Sequence, residues 1–351
     1  MAKAGALIDA ERQSSELPGL ELGIETPRCG ARYALSGYAV IEPAELLTPE
    51  HAMSVGSTSK SFAAAALMRL AEQGTLSVDD PLSTWDPDWP QADEITVRHL
   101  LGHRSGIPDY FGAAGCYPDR MTQDNTPEDL LSCVRGEPLL FQPGEHYAYS
   151  NTNYVLVGKV IEAVSGQNAH EAIRSLVLGP AGLESTGYDT DSPPPWARAA
   201  HVYFGDDDVT GEWSSSYAWT AGDLVSNAPD LLRWLRVVLY GDLLSGESRS
   251  AMQTFLDGEG DTSGDYGLGL LERQVKDAEG RLVATLRGHG GRWVASDEPY
   301  FAVEWDAALV LMLNERVNTT GSHVPPAAYI GLPNEMMDRL VVELAPWFEA
   351  L

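Results

Sequence analysis

Positive charge is what this sequence has least of. Its 351 residues include 23 Lys and Arg against 51 Asp and Glu, a net charge of −28 at pH 7, and only four of them are lysines: Lys3, Lys60, Lys159 and Lys276. A surface this acidic repels polyanions, so nucleic acid and anionic membrane are excluded as partners. Cysteine is scarce too. Cys29, Cys116 and Cys133 are odd in number and far apart, and read as reduced thiols instead of a disulfide frame. Long apolar runs are missing: nothing approaches a membrane span, and Met1 to Arg12 holds no apolar core of useful length for a signal peptide. Together these absences point to the cytoplasm, where the Asn318-Thr319-Thr320 sequon carries no weight.

What is present is a globular composition, 44% hydrophobic and 21% charged, long enough for one large unit or two lobes sharing a cleft. No repeat, low-complexity tract or linker divides it. Short apolar alternation over 21–26 and 31–41 predicts an antiparallel strand pair. Helices are expected over 95–101, 127–135, 154–164, 168–178 and 224–239, the last with Pro229 in its first turn. Beyond Gly241 the texture returns to short strands at 266–272, 281–287, 300–305 and 307–314, then an amphipathic helix over 334–345 that Pro346 should end or kink. Strands at both ends with helices between them imply an α+β fold: a sheet built from the two ends of the chain around an inserted helical lobe.

The chemistry gathers around Met53 to Leu70. Gly56 relieves the backbone, Ser57 opens a helix, and the Ala63 to Ala66 run behind it has the highest helix propensity available. Lys60 follows three residues later on the same face, within reach of the Ser57 hydroxyl. A neutral lysine can take the proton of a serine if burial lowers its pKa from about 10.4. Taken alone, the pair reads better as an ordinary N-cap and a solvated first-turn lysine. His99 and His103, four apart, are a second candidate pair, but they lack a third ligand and sit where Gly102 and Gly106 end the helix, which disfavours a metal site.

Two further motifs stand downstream: Tyr149-Ser150-Asn151 in a loop of the helical lobe, and His289-Gly290-Gly291 at the end of a strand. With Ser57-x-x-Lys60, this ordered set resembles the serine β-lactamase and DD-peptidase superfamily. The nearest group is that of class C β-lactamases, D-alanyl-D-alanine carboxypeptidases, D-aminopeptidases and esterases. The resemblance spans nearly the whole chain, taking in His103 to Tyr110, Pro143-Gly144-Glu145, Ala221 to Ser226 and Tyr266 to Gly269. It implies a β-lactamase/transpeptidase-like fold, an antiparallel sheet flanked by N- and C-terminal helices. The chain would be a single catalytic domain, 1–351, with a sheet lobe at about 1–56 and 240–351 and a helical lobe at about 57–239.

The resemblance also implies roles. Ser57 is the nucleophile and becomes acylated, while Lys60 and Tyr149 share the proton work, with Lys60 lowering the tyrosine pKa. Asn151 binds the substrate amide or positions Lys60. The backbone N–H groups of Ser57 and Arg292 face the oxyanion, and Gly290 and Gly291 let substrate approach the strand. His289 joins the Tyr149 network or meets the substrate. Trp219, just before Thr220-Ala221-Gly222, reads as a pocket-lining residue or as core. Relatives continue the strand triplet with small residues, whereas this chain has Arg292-Trp293-Val294-Ala295-Ser296-Asp297-Glu298. With histidine in place of lysine on that strand, a substrate carboxylate must look to Arg292, to Arg287 or to nothing.

The expectation is a serine hydrolase working on a small-molecule amide or ester, with no metal or organic cofactor and an oligomeric state left open. An acyltransferase passing the acyl group to an amine or alcohol is the alternative that a water-excluding Trp293 rim would favour. A non-catalytic acyl-binding or sensor protein is the alternative of another class.

Overall fold

Alternation along Gly19–Thr26 sorts its side chains between two cores. Leu20, Leu22 and Ile24 join Ile8 of the N-terminal helix, Ala2–Ser14, and Met336 and Leu340 of the C-terminal helix, Leu332–Glu349. The opposite face of the sheet, through Val310, Met312 and Phe301, packs on Leu231, Leu232 and Leu235 of the helix Ala228–Tyr240. The computed structural model describes residues 1–205, 207–259, 264–315 and 332–351. The Asn318 sequon lies outside them.

The sheet is antiparallel. Its spatial order is Asp265–Tyr266, Leu271–Lys276, Leu282–Gly288, Ser296–Ala302, Ala307–Leu313, Gly19–Thr26, Gly30–Val40, Glu45–Leu46, and Gly291–Arg292 pairs with Ser296–Ala302. The two chain ends meet in its middle, where Leu22 stands opposite Leu311 and Leu20 opposite Leu313. Ser296–Ala302 and Ala307–Leu313 are buried along their whole length, which accounts for the unbroken apolar reading of the second, while the first buries Asp297 and Glu298.

The helix Ser59–Glu72 runs through the second core, on which the remaining helices pack. Ala63 to Ala66 are fully buried, and so small a face admits close neighbours: a Cβ added to Gly269 would meet that of Ala64 at 2.6 Å. Phe62 stacks on Trp234 at 4.1 Å, and the Trp234 Nε1 donates to Ser61 Oγ at 2.8 Å.

Several expected elements shift. The helix expected from Leu224 is a strand, Leu224–Ser226, followed by a helix capped by Asn227, whose Oδ1 accepts from Asp230 N at 3.0 Å. Residues 266–272 are two strands, because Gly269 turns the chain at φ +74°. The C-terminal helix continues past Pro346 to Glu349. Phe348 there stacks on Trp305 at 4.4 Å, packing that offsets the lost backbone hydrogen bond. The reading of three reduced cysteines is corrected: Cys116 and Cys133 form a disulfide with Cα atoms 6.1 Å apart, leaving Cys29 free. Loop and helix between them, a separation of 17 in sequence, fold back to bring the pair together, which spacing alone does not reveal. The pairing also removes one of the two supports for a cytoplasmic location. Among the described residues, no helix is long and apolar enough to cross a membrane.

Candidate active site

Ser57 sits in a single 3-10 turn, Gly56–Thr58, that leads directly into the helix Ser59–Glu72. Gly56 takes φ +43°, and a Cβ there would come within 2.7 Å of the Arg292 backbone N. The turn is thereby pressed against the Gly291–Arg292 strand. Ser57 is half-buried; Lys60, one turn on, is fully buried.

The Lys60 Nζ has three partners: Ser57 Oγ at 2.9 Å, Asn151 Oδ1 at 2.8 Å and Ala221 O at 2.7 Å. Burial pushes its pKa down to about 7, with Asp109 opposing the shift. A neutral amine has two hydrogens and one lone pair. The carbonyl oxygens of Asn151 and Ala221 accept the hydrogens, which leaves the lone pair facing the Ser57 hydroxyl.

Asn151 is fixed from behind. It opens the helix Asn151–Ser165, so the loop expected for the Tyr149 motif ends one residue earlier. Asp109 accepts from its backbone N and from its Nδ2, both at 3.0 Å, turning Oδ1 toward Lys60. Asp109 and the Ala221 carbonyl are the two parts of this network that sequence reasoning missed. Both lay inside stretches singled out for the family resemblance, but nothing in the pattern gave them an orientation.

Tyr149 Oη donates to Ser57 Oγ at 2.9 Å. Burial holds this phenol well above its ordinary pKa, the bond to Ser57 only partly opposing it. Lys60 Nζ lies 5.0 Å from the Tyr149 ring centroid. The expectation that Lys60 lowers the tyrosine pKa is therefore reversed: the lysine is the easily deprotonated partner and the tyrosine keeps its proton. The Tyr149 ring rests on His103, with centroids 4.2 Å apart. His103 takes φ +56° and is fully buried, and its Nδ1 accepts from Ser150 N at 3.2 Å. His99 instead caps its own helix by accepting from Thr96 N through Nδ1 at 3.2 Å, so the two imidazoles do not converge on a metal.

His289 hydrogen-bonds with Tyr266, and its ring lies 6.4 Å from that of Tyr149. Its Nε2 is 2.9 Å from Tyr266 Oη and its Nδ1 is 2.7 Å from Gly290 O. Burial lowers its pKa to about 3, so it is neutral. Its carbonyl lies 2.6 Å from Thr58 Oγ1, which is also 2.8 Å from the buried Asp297 Oδ2. One hydroxyl hydrogen serves one acceptor, and burial raises the Asp297 pKa well above the usual range. Through Thr58, Asp297 ties the strand to the residue after Ser57.

Two expected substrate contacts are corrected. A Cβ on Gly291 would meet Val55 O at 1.8 Å and Asp297 Oδ1 at 2.4 Å, so this glycine makes room for the protein's own packing, not for substrate. Trp219 is in the core. Its ring fills the slot left by Gly158, where a Cβ would meet it at 2.6 Å.

Ser57 stands between two cavities that share Tyr149 and Arg292. The first, about 360 Å³, has an apolar wall that includes Phe111, Met121 and Trp293. Trp293 packs on Phe111 at 5.3 Å and on Tyr217 at 5.6 Å. The second, about 270 Å³, is polar, with His289, Glu298, Tyr300 and Asn334 on its walls.

With this geometry in view, the family model described as Beta-lactamase matches residues 6–326. The chain belongs to the beta-lactamase family. Among solved members of similar structure, the D-amino acid amidase from Ochrobactrum anthropi SV3, complexed with L-phenylalanine amide, superposes with TM-score 0.85 at 26% identity, covering 99% of this chain and 98% of that one. The octameric penicillin-binding protein homologue from Pyrococcus abyssi gives TM-score 0.79 at 28% identity, covering 97% of this chain and 77% of the other. A penicillin-binding protein of Bacillus subtilis (strain 168) is 30% identical over 280 residues, 73% of this chain. The chain spans 52% and 59% of the length of the first two curated relatives it matches. The mixed α+β architecture anticipated for it, a large antiparallel sheet with helices, is the one it shares with the amidase.

Proposed function

We propose that the protein is a serine amidohydrolase that cleaves a small amide, with ester cleavage as a side activity, through a Ser57 acyl-enzyme. The observation that carries this reading is the set of Lys60 partners. Two carbonyl oxygens take the amine hydrogens and aim the lone pair at Ser57 Oγ, 2.9 Å away.

In the first step the Ser57 proton passes to Lys60 as Oγ attacks the carbonyl carbon. The oxyanion is received by the backbone N–H groups of Ser57 and Arg292. The lysine proton then reaches the leaving nitrogen through Tyr149, whose hydroxyl gives up one proton and regains another, and the carbon–nitrogen bond breaks. Water attacks the ester by the same relay in reverse, restoring Ser57 and releasing the acid.

The apolar cavity fits the acyl group, and its aromatic wall suits a bulky side chain. The amidase neighbours support an amino acid amide of D configuration as the substrate class. Trp293 belongs to the wall of this first cavity, while the second reaches Ser57 without Trp293 on its walls. That arrangement favours water over a reserved amine or alcohol acceptor.

The test is ammonia release from the D and L forms of phenylalanine amide by wild type and Ser57→Ala. Release from the D form by wild type alone supports the reading. Equal release by both proteins, or by neither across a panel of amides, contradicts it.

A further inference from the structure

Within the second cavity a charged pair is built into the wall. Arg292 Nη2 lies 3.1 Å from Glu298 Oε1, and the Glu298 side chain is 1% exposed against 23% for Arg292. Asn334 closes the group. With its Nδ2 toward the carboxylate, it donates to Oε1 at 2.9 Å and Oε2 at 2.8 Å, and its Oδ1 accepts from Arg292 Nη2 at 2.8 Å. The backbone makes room for this arrangement: a Cβ on Gly290 would meet Glu298 Oε2 at 2.5 Å. The other arginines nearby are paired elsewhere. Arg287 Nε donates to Glu272 at 2.7 Å, and Arg273 pairs with Asp338 behind the Tyr300 ring.

We infer that this cavity is the leaving-group site and that Glu298, by neutralising Arg292, restricts it to uncharged leaving groups: ammonia and small neutral amines. The inference rests on the serine amidohydrolase reading. The two substituents of the attacked carbonyl must lie on opposite sides of Ser57, and the apolar cavity takes the acyl side chain. A leaving group bearing a carboxylate would give up its hydration to face a cation whose field is cancelled by an anion about 3 Å behind it. An ammonium group meets the same balance with the sign reversed. A neutral amide or amine meets neither cost and finds polar walls in Tyr300 and Asn334.

The experiment uses one acyl group, D-phenylalanyl, on glycinamide and on glycine, with kcat/KM measured for wild type and Glu298→Gln. Wild type is expected to prefer glycinamide, and Glu298→Gln, which removes the carboxylate charge beside Arg292, to shift the ratio toward glycine by about tenfold. If Glu298→Gln does not fold, Arg292→Gln carries the test in the opposite sense. It should raise cleavage of the 2-aminoethylamide relative to the propylamide by about tenfold. A ratio unchanged within about twofold in a variant still acylated at Ser57 by a p-nitrophenyl ester would overturn the assignment. So would a change in acyl-group preference in its place. Absence of Ser57 acylation in wild type would instead fell the amidohydrolase reading, and this inference with it.

Discussion

Asp109 holds Asn151 at two points, its backbone N–H and its Nδ2, each at 3.0 Å. That double grip decides which end of the amide faces Lys60. Asp109→Ala frees the Asn151 side chain to rotate and withdraws a negative charge that supports protonated Lys60. The expected result is a fall in kcat/KM of about 100-fold, together with an acidic limb displaced to lower pH. A loss of activity with the limb unmoved would assign Asp109 a purely structural part.

The wild-type pH profile follows from Lys60 and Tyr149. The lysine must be neutral to accept the Ser57 proton, so kcat/KM should rise with pH through about 7. The tyrosine, held well above its ordinary pKa, should impose no fall up to about 10. Lys60→Ala is expected to lower kcat by about 10²- to 10⁴-fold and to abolish the limb near 7.

Glu21 offers a stability test away from the chemistry. It is fully buried, and neither carboxylate oxygen has a hydrogen-bond partner among the described residues. Burial raises its pKa well above the usual carboxyl value, with Glu50 adding to the shift. A raised folded-state pKa gives stability that is complete below the unfolded pKa, about 4.3, and is lost progressively as pH rises toward the folded value. Glu21→Leu should therefore stabilise the fold by about 1–3 kcal/mol near neutral pH, with a smaller gain at pH 4. Denaturant titrations at both pH values check this.

Much of this was legible in advance. The short motifs named Ser57, Lys60 and Tyr149, which the fold brings together at Ser57 Oγ, and strand periodicity announced a sheet closed by both chain ends. What escaped were contacts set by distant packing. Gly291 and Gly158 look like any glycines until Val55 O and the Trp219 ring are found against them. The pairing of Cys116 with Cys133, the inward turn of Asp297 and Glu298, and the direction of the Tyr149 shift depend on burial, which no local pattern encodes.

The cysteine pairing has its own test. Under denaturing conditions without reductant, maleimide should label one thiol, Cys29, and after reduction three. Cys133→Ser should cost about 3 kcal/mol of stability, the entropy of the loop it releases. Three labelled thiols without reductant would contradict the pairing.

The measurement that bears most directly on the central claim is intact-protein mass against time after mixing with a p-nitrophenyl ester, with Ser57→Ala as the control. An adduct of one acyl group that forms and decays in wild type, and never forms in the variant, is the predicted result. No adduct, with equal ester loss in both proteins, would contradict Ser57 as the nucleophile.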